Sequence, residues 1–292
     1  MPIGRNPIVR IKDHLHIANM TRRFLAEAAD SDSRRSFKIY ILYHLSPLFI
    51  YDYVKQHGSV RKDFGSDVRV RNKFGQFNCG REWLNVYIVS EMSEPQTEPF
   101  FDIRKGKRSP VFIDVGAHIG KYSIWMARKG YKVFSFEPNP STLSILKQNI
   151  ATNGCQDMVS VTDAALSSKE GKATLYFGLS GHASMEGKAP KAVTIRTLRL
   201  DTLNLHPDLM KIDVEGHELE VLKGAVQTIK ENHPRLIIET GQPMNKRSEV
   251  DPFLCNLGYK CIATQLDKLN SVYEYSNVQK ERKRKGSPSR VK

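Results

Sequence analysis

The stretch VFIDVGAHIG, residues 111–120, decides the fold of this chain. An apolar run ends at Asp114, and Gly116 and Gly120 then stand four positions apart. A short apolar run of this kind, followed by a glycine-containing turn, is typical of a buried strand that leads into a helix. Glycine permits backbone conformations and close approaches that a side chain would prevent. The stretch therefore predicts a strand, a loop against which a ligand can lie, and a helix.

The same pattern continues further along the chain. Four more short apolar runs each end at an acidic residue, namely Glu137, Asp163, Asp213 and Glu239. Helical segments separate the runs, and one long helix is predicted over residues 218–230. Alternating strands and helices predict an α/β fold with a doubly wound, mostly parallel sheet. Ligands bind at the carboxyl ends of the strands in such sheets, so we expect these acids to meet at a ligand-binding edge.

The first loop also narrows the class of ligand. Its Asp-x-Gly-x-x-x-Gly pattern differs from the Gly-x-Gly-x-x-Gly loop that holds a pyrophosphate on a helix N-terminus. Glu137 follows Asp114 by 23 residues, the usual interval for an acid that binds ribose hydroxyls. An acid for ribose without a diphosphate loop indicates a nucleoside that lacks a pyrophosphate. S-adenosylmethionine suits a site lined by carboxylates, because its sulfonium and ammonium groups are cationic.

Composition sets wider limits. The net charge is +14, and residues 279–292 alone carry seven Lys or Arg against one Asp or Glu. Basic flanks attract nucleic acid or anionic lipid, or they only keep a protein soluble. The four cysteines form no Cys-x-x-Cys pair and no zinc-type spacing, so no metal site is predicted. Scattered thiols without a secretory signal favour a reducing, cytoplasmic location.

The pattern divides the chain into four parts. Residues 1–64 are predicted to be a helical extension, and residues 65–110 a β-hairpin and a connector, with residues 83–90 as a further strand. Residues 111–275 carry the alternating pattern and form the predicted main domain. Residues 276–292 are predicted to be a disordered basic tail.

One apolar segment, residues 37–54, requires a test for membrane insertion. It reads FKIYILYHLSPLFIYDYV, and Lys38, His44, Pro47 and Asp52 interrupt it. A spanning helix needs about 20 mostly apolar residues, so no transmembrane span is predicted. Peripheral contact with a membrane stays open.

Four runs of residues together resemble the FkbM-type S-adenosylmethionine-dependent methyltransferases. The runs are FIDVGAHIGKYS, FSFEPNP, DAALSSKEG and, most specifically, LMKIDVEGHELEVLKGA. The similarity extends over about residues 111–263. It implies a class I methyltransferase fold, which is a Rossmann-like seven-stranded sheet whose last strand is antiparallel. It also implies O-methylation of a hydroxyl on a glycan or a small natural product.

The resemblance also implies roles for individual residues. Asp114 and Gly116 would face the methionine part of S-adenosylmethionine. Glu137 would bind the ribose hydroxyls, and Asp163, with the backbone of Ala164, would contact the adenine edge. The cofactor-binding set implied in this way is Asp114, Gly116, His118, Gly120, Glu137, Asp163, Ala164 and Asp213.

Catalysis is assigned first to Asp213. The resemblance implies that this residue lies beside the transferable methyl group and the acceptor, where an alcohol benefits from a general base. His118 and His217 remain alternative bases. Both differ from the residue that is usual in the family, which is asparagine at position 118 and alanine at position 217.

Three functions are weighed. The first is O-methylation of a small-molecule or glycan acceptor. The second is methylation of RNA held by the basic flanks, which is not favoured because no aromatic residue interleaves the basic tail for base stacking. The third is a nucleoside-binding or scaffolding protein without catalysis.

Overall fold

The structure is a computed structural model that describes residues 20–44, 64, 66–103, 109–177, 183–185, 191–241 and 246–276. The chain divides into two compact units, Met1–Ser93 and Glu94–Lys292. Pro47, which interrupts the apolar segment, and the basic tail after residue 276 lie outside the described residues. No helix among the described residues has both the length and the apolar character needed to cross a bilayer.

The first unit has these elements: α1 Ser31–His44, β1 Arg69–Asn72, β2 Gly75–Asn78 and α2 Trp83–Val89. Asp30 caps α1, because its carboxylate accepts a hydrogen bond from the backbone N–H of Ser33 at 2.7 Å. The strands β1 and β2 form the predicted antiparallel hairpin. Aromatic rings fill the core, with Phe24 and Trp83 5.2 Å apart and Tyr40 and Phe64 4.5 Å apart between centroids.

The prediction of a strand over residues 83–90 is wrong, since this segment is the helix α2. Its aromatic and β-branched residues favour a strand locally. The buried positions are Asn85, Val86 and Val89, a spacing that suits one face of a helix. The amide of Asn85 also donates to the carbonyl of Cys79 at 3.0 Å. Tertiary packing therefore overrides local preference here.

The second unit is built on one large sheet with helices. Its strands are β3 Val111–Val115, β4 Lys132–Phe136, β5 Val159–Thr162, β6 Ala165–Leu166, β7 Gly171–Phe177, β8 Ala183–Ser184, β9 Lys191–Leu198, β10 Leu209–Ile212, β11 Arg235–Glu239, β12 Tyr259–Leu266 and β13 Asn270–Tyr275. Its helices are α3 Lys121–Arg128, α4 Pro140–Thr152, α5 Glu218–Lys223, α6 Val226–Asn232 and α7 Arg247–Asn256.

The seven-stranded sheet has the order β12-β13-β11-β10-β3-β4-β5. Five neighbouring strands are parallel to one another, namely β11, β10, β3, β4 and β5. Strand β13 runs antiparallel to both of its neighbours, β11 and β12. The predicted class I methyltransferase fold, with an antiparallel last strand, is thus confirmed. The strands β6 to β9 make a separate four-stranded sheet in the order β6-β9-β7-β8.

Register decides which side chains share a face of the large sheet. Asp114 of β3 is paired with Lys211 of β10 on one side and with Ser135 of β4 on the other. Side chains alternate along a strand, so these three lie on one face. The neighbouring positions Ile113 and Ile212 belong to the apolar core on the opposite face. A polar row therefore runs across the centre of an otherwise apolar sheet.

A clasp joins the start of this unit to the turn between its last two strands. The carboxylate of Asp267 accepts hydrogen bonds from the backbone N–H groups of Gln96 and Thr97, both at 3.1 Å, and from the Thr97 hydroxyl at 2.9 Å. The side chain of Gln96 accepts a bond from the Asp267 N–H at 3.0 Å in return. The clasp fixes residues 94–97 at the carboxyl edge of the sheet, where β12 ends.

The single helix predicted over residues 218–230 is two helices, α5 and α6, separated at Gly224 and Ala225. A Cβ atom on Gly224 would lie 2.0 Å from the carbonyl oxygen of Ser167, so the backbones touch at this point. The carboxylate of Asp201 caps α6, because it accepts from the Thr228 N–H at 2.9 Å. Close packing, which the spacing of apolar residues does not reveal, breaks the helix.

We expect Gly224→Ala to lower the free energy of unfolding by more than about 2 kcal/mol. Helix propensity alone predicts a gain of about 1 kcal/mol, because alanine replaces glycine. The clash with the Ser167 carbonyl opposes this gain and outweighs it. Urea denaturation measures the difference, with Lys230→Ala on the exposed face of α6 as the control that stays near wild type. A stabilised Gly224→Ala protein would show that the two backbones are not in contact.

Candidate active site

The loop after β3 is shaped by close backbone approaches. Gly116 has a φ of +83°, and a Cβ atom there would lie 1.9 Å from the carbonyl oxygen of Asp213. Gly120 has a φ of +96°, and its Cβ would lie 2.7 Å from Leu146 on α4. Both positions therefore require glycine. Gly116 brings the β3 loop against the end of β10, and Gly120 brings α3 against α4.

Glu137 follows β4 and is buried, with 6% of its surface exposed. Its Oε2 accepts a hydrogen bond from the backbone N–H of His118 at 2.9 Å, and its Oε1 accepts from Asn139 N–H at 2.8 Å. Burial raises the pKa of Glu137 to about 7, against the lowering effect of these two bonds, and the charges of Asp114 and Asp163 add to the rise. The carboxyl group is fixed in position, with acceptor capacity left for a ligand.

Asp114 lies on the face of β3 that packs on α3. Its carboxylate accepts a hydrogen bond from the hydroxyl of Ser123 at 2.5 Å, and the hydroxyls of Ser123 and Ser135 are 2.7 Å apart. Burial raises the pKa of Asp114 to about 6, although Ser123 and Lys211 both act to lower it. The protein thus compensates the negative charge of Asp114 only in part.

Asp163 and Ala164 follow β5 next to Glu137 in the sheet. The side chain of Asp163 is exposed, and its backbone carbonyl accepts a bond from Arg196 at 3.3 Å. Ala164 is fully buried. The charge of Asp163 reaches Glu137, where it contributes to the raised pKa of that residue. The structure therefore brings the two positions predicted for ribose and adenine side by side.

Asp213 follows β10 and forms an ion pair with Lys211, whose Nζ lies 2.8 Å from the Asp213 Oδ2 atom. The Asp213 side chain is 34% exposed and that of Lys211 only 1%. Burial acts to raise the pKa of Asp213, but the charge of Lys211 and hydrogen bonds to Glu239 and Lys211 lower it to about 2. Asp213 is accordingly ionised at neutral pH.

Glu239, at the end of β11, lies beside Asp213, and one oxygen of each carboxyl group lies within 4.8 Å of the other. The charge of Asp213, then burial, raises the pKa of Glu239 far above its ordinary value. Two adjacent carboxyl groups cannot both ionise at low cost, so the charge of Asp213 favours the protonated form of Glu239. Glu215 adds a third acid, since one oxygen of each of these three carboxyls lies within 4.8 Å of the others.

The two alternative general bases, His118 and His217, have other contacts. The backbone of His118 holds Glu137, and His118 has a φ of +51°. The Nε2 atom of His217 lies 3.0 Å from the hydroxyl of Ser167, which follows β6. His217 thus has a structural partner on the side of the smaller sheet.

Four functional candidates were not found by sequence reasoning: Glu94, Tyr122, Lys211 and Asn270. Lys211 could have been recognised from the sequence, because it is a charged residue inside the apolar strand LMKID and buried lysines need partners. Glu94, Tyr122 and Asn270 left none, since each lies far from β10 in sequence. Only the fold brings them to Lys211.

The family of the chain follows from a direct match. The family model described as the methyltransferase FkbM domain matches residues 114–261, just over half of the chain. This chain belongs to the FkbM methyltransferase family. The predicted family and the predicted enzyme class are therefore confirmed, and the protein is a methyltransferase that uses a methyl donor.

Relatives of this FkbM methyltransferase carry related names. It is 29% identical to methyltransferase sdnD of Sordaria araneosa over 223 residues, which are 60% of this chain and 86% of that protein. It is 31% identical to hexuronic acid methyltransferase AglP of Haloferax volcanii over 134 residues, which are 44% of this chain and 55% of AglP.

A solved structure is similar over a longer stretch. Methyltransferase FkbM from Methylobacillus flagellatus KT has 16% identity and a TM-score of 0.45, and the match covers 90% of this chain and 60% of that one. This FkbM methyltransferase thus spans less than two thirds of that solved chain.

The raised pKa of Glu137 predicts a pH-dependent stability. The pKa rises from 4.5 to about 7 on folding, so the folded state binds the proton more tightly between these values. The stabilisation is fully present below about pH 4.5 and is lost as the pH rises through about 7, by at most about 3 kcal/mol.

Urea denaturation of the ligand-free protein at pH 5 to 8 checks this expectation. Glu137→Gln should show a smaller fall in unfolding free energy with pH than wild type. The control Glu231→Gln, at an exposed position, should keep the wild-type slope. Equal slopes in all three proteins would mean that Glu137 is not buried as described.

Proposed function

We propose that this FkbM methyltransferase transfers a methyl group from S-adenosylmethionine to a hydroxyl of a glycan or small-molecule acceptor. The observation that carries this proposal is the buried carboxyl of Glu137, held by two backbone N–H groups at the carboxyl end of β4. An acid held in this way is suited to accept hydrogen bonds from the two hydroxyls of a ribose.

The carboxyl groups at the carboxyl ends of the strands suit a cationic nucleoside. Asp114 and Glu137 keep raised pKa values because burial outweighs the stabilisation that their neighbours provide. A cation bound beside them would offset that cost. S-adenosylmethionine supplies a methyl group on a positively charged sulfur. Asp163 and the backbone of Ala164 are assigned to the adenine, next to Glu137.

Asp213 is proposed to contact the acceptor. Methyl transfer needs the hydroxyl oxygen to be close to the methyl group and in line with the bond that breaks. An ionised Asp213 accepts a hydrogen bond from this hydroxyl and thereby orients its lone pair. The low pKa makes Asp213 a weak base, but the oxygen becomes a strong acid once the new carbon–oxygen bond forms. A weak carboxylate base is therefore sufficient to take the proton.

The acceptor class is supported by the family and by the printed name of AglP, which refers to a hexuronic acid. Methylation of RNA has no support among the described residues, because the basic tail lies outside them. A cytoplasmic location and peripheral membrane contact through the basic flanks stay predictions. The ionised Asp213 and the buried Glu137 support an active enzyme over a scaffold.

Donor binding is tested by calorimetry with S-adenosylhomocysteine, the demethylated product. We expect wild type to bind it and Glu137→Gln to bind it roughly 10- to 100-fold more weakly, which corresponds to the loss of hydrogen bonds to a charged group, about 1.5–3 kcal/mol. Glu231→Gln is the matched control and should bind like wild type. Absence of heat with folded wild-type protein would overturn the proposed donor.

Acceptor chemistry is tested with labelled S-adenosylmethionine and p-nitrophenyl glucuronide as a hexuronic acid probe. We expect labelled product that survives mild alkali, because a methyl ether is stable where a methyl ester is cleaved. Alkali-labile product would place the methyl on the carboxylate instead of a hydroxyl. Transfer to total RNA alone, weakening steeply with salt, would favour the RNA alternative.

A further inference from the structure

Lys211 occupies an unusual position for a charged residue. It lies in the middle of β10, between Asp114 of β3 and Ile237 of β11 in the register, and only 1% of its side chain is exposed. Removing an ammonium group from water costs several kcal/mol, and an apolar residue of similar size is often as stable or more so. Stability alone therefore does not account for a lysine at this position.

The ammonium group is held from two sides. On one side its Nζ lies 2.8 Å from the Oδ2 of Asp213. On the other it lies 3.8 Å from the carboxylate of Glu94, 3.5 Å from the Oδ1 of Asn270, and 5.3 Å from the ring centroid of Tyr122. Lys211 thus lies between Asp213, the proposed contact of the acceptor, and the polar side chains of Glu94 and Asn270 inside the protein.

Glu94 is itself fixed in place. Its carboxylate accepts hydrogen bonds from the hydroxyl of Tyr122 on α3 and from the amide of Asn270 on β13. The clasp of Asp267 with Gln96 and Thr97 anchors the chain just after Glu94. The ammonium group of Lys211 therefore has a defined position relative to Asp213.

We propose that Lys211 is a positioning residue of this methyltransferase, which keeps the carboxylate of Asp213 ionised and aimed at the acceptor without touching the substrate. The inference rests on the proposed contact of Asp213 with the acceptor. The carboxyl groups of Asp213 and Glu239 lie within 4.8 Å of each other, and the Lys211 ammonium contacts only the first of them, at 2.8 Å, among the described ion pairs. Its positive charge therefore favours the ionised form of Asp213 over that of Glu239. With Lys211 present, the proton stays on Glu239 and Asp213 is free to accept a hydrogen bond.

Other groups also bear on the charge of Asp213. Those that interact with it electrostatically or lie next to it are Lys211, Glu239, Glu215, Asp114, Tyr122, Glu218 and His118. Most of them are acids, which disfavour ionisation of Asp213. Removal of Lys211 should therefore move the proton onto Asp213, and the carboxyl would then present a hydrogen-bond donor to the acceptor hydroxyl.

A purely structural ion pair makes different predictions. It would contribute to unfolding free energy, and its loss would lower the melting temperature. It would lower the pKa of Asp213 as well, since any ammonium group at 2.8 Å does so, but it would not act on turnover through Asp213. The titration therefore tests whether Lys211 controls the charge of Asp213, and the split between kcat and KM separates the positioning role from a purely structural one.

The experiment compares Lys211→Met and Lys211→Arg in the full chain. Carboxyl-carbon NMR of labelled protein, assigned with Asp213→Asn, follows the titration of Asp213. We expect Lys211→Met to raise the pKa of Asp213 by more than one unit and Lys211→Arg to keep it low. With the glucuronide probe, we expect kcat of Lys211→Met to fall about 100-fold, the size of a general-base effect, while KM for S-adenosylmethionine changes less than threefold.

A double-variant cycle tests whether Lys211 acts through Asp213. Lys211→Met should cost little further turnover when Asp213→Asn is already present. An unchanged Asp213 titration in Lys211→Met, or full additivity in the cycle, would overturn the proposal. Should Lys211→Met fail to fold, Lys211→Gln removes the charge but keeps a donor for Asp213, and the same outcomes decide.

Failure of the proposed function gives a different result. If wild type shows no heat with S-adenosylhomocysteine, the donor assignment fails, yet the NMR titration still reports whether Lys211 controls Asp213. If wild type binds and turns over but the titration of Asp213 does not depend on Lys211, only the positioning role fails.

Discussion

The site depends on the crowding of carboxyl groups at one edge of a sheet. Parallel strands place Asp114, Glu137, Asp213 and Glu239 at the same end, where burial makes every negative charge costly. The protein compensates in part, with backbone N–H groups for Glu137, a hydroxyl for Asp114 and an ammonium for Asp213. The raised pKa values that remain show that compensation is incomplete. An enzyme with this imbalance gains most from a ligand that is cationic.

Much of this arrangement could be predicted from the sequence. Short apolar runs that end in acids identify the strands and the edge, because the carboxyl ends of parallel strands meet in space. The motif around Asp213 identified the family. The spacing between Asp114 and Glu137 indicated a ribose acid, and the structure places the Glu137 carboxyl beside the loop of the first strand.

Other features were beyond the reach of sequence patterns. The segment after Trp83 has the composition of a strand and forms a helix, because its buried face is decided by packing. The break at Gly224 arises from contact with the backbone of Ser167. The environment of Lys211 depends on Glu94 and Asn270. These two residues form a direct hydrogen bond although they are 176 residues apart in sequence. Contacts of this kind follow from the whole topology and not from any local pattern.

The clasp of Asp267 on Gln96 and Thr97 has a consequence for biosynthesis. Its two halves are separated by about 170 residues, so the first can emerge from a ribosome long before the second exists. During that interval Glu94 lacks Asn270, and Lys211 lacks part of its surroundings. Contacts between residues so distant in sequence slow the folding of a domain. The carboxyl edge of the sheet is therefore complete only after the hairpin of β12 and β13 has been made and β13 has paired with β11.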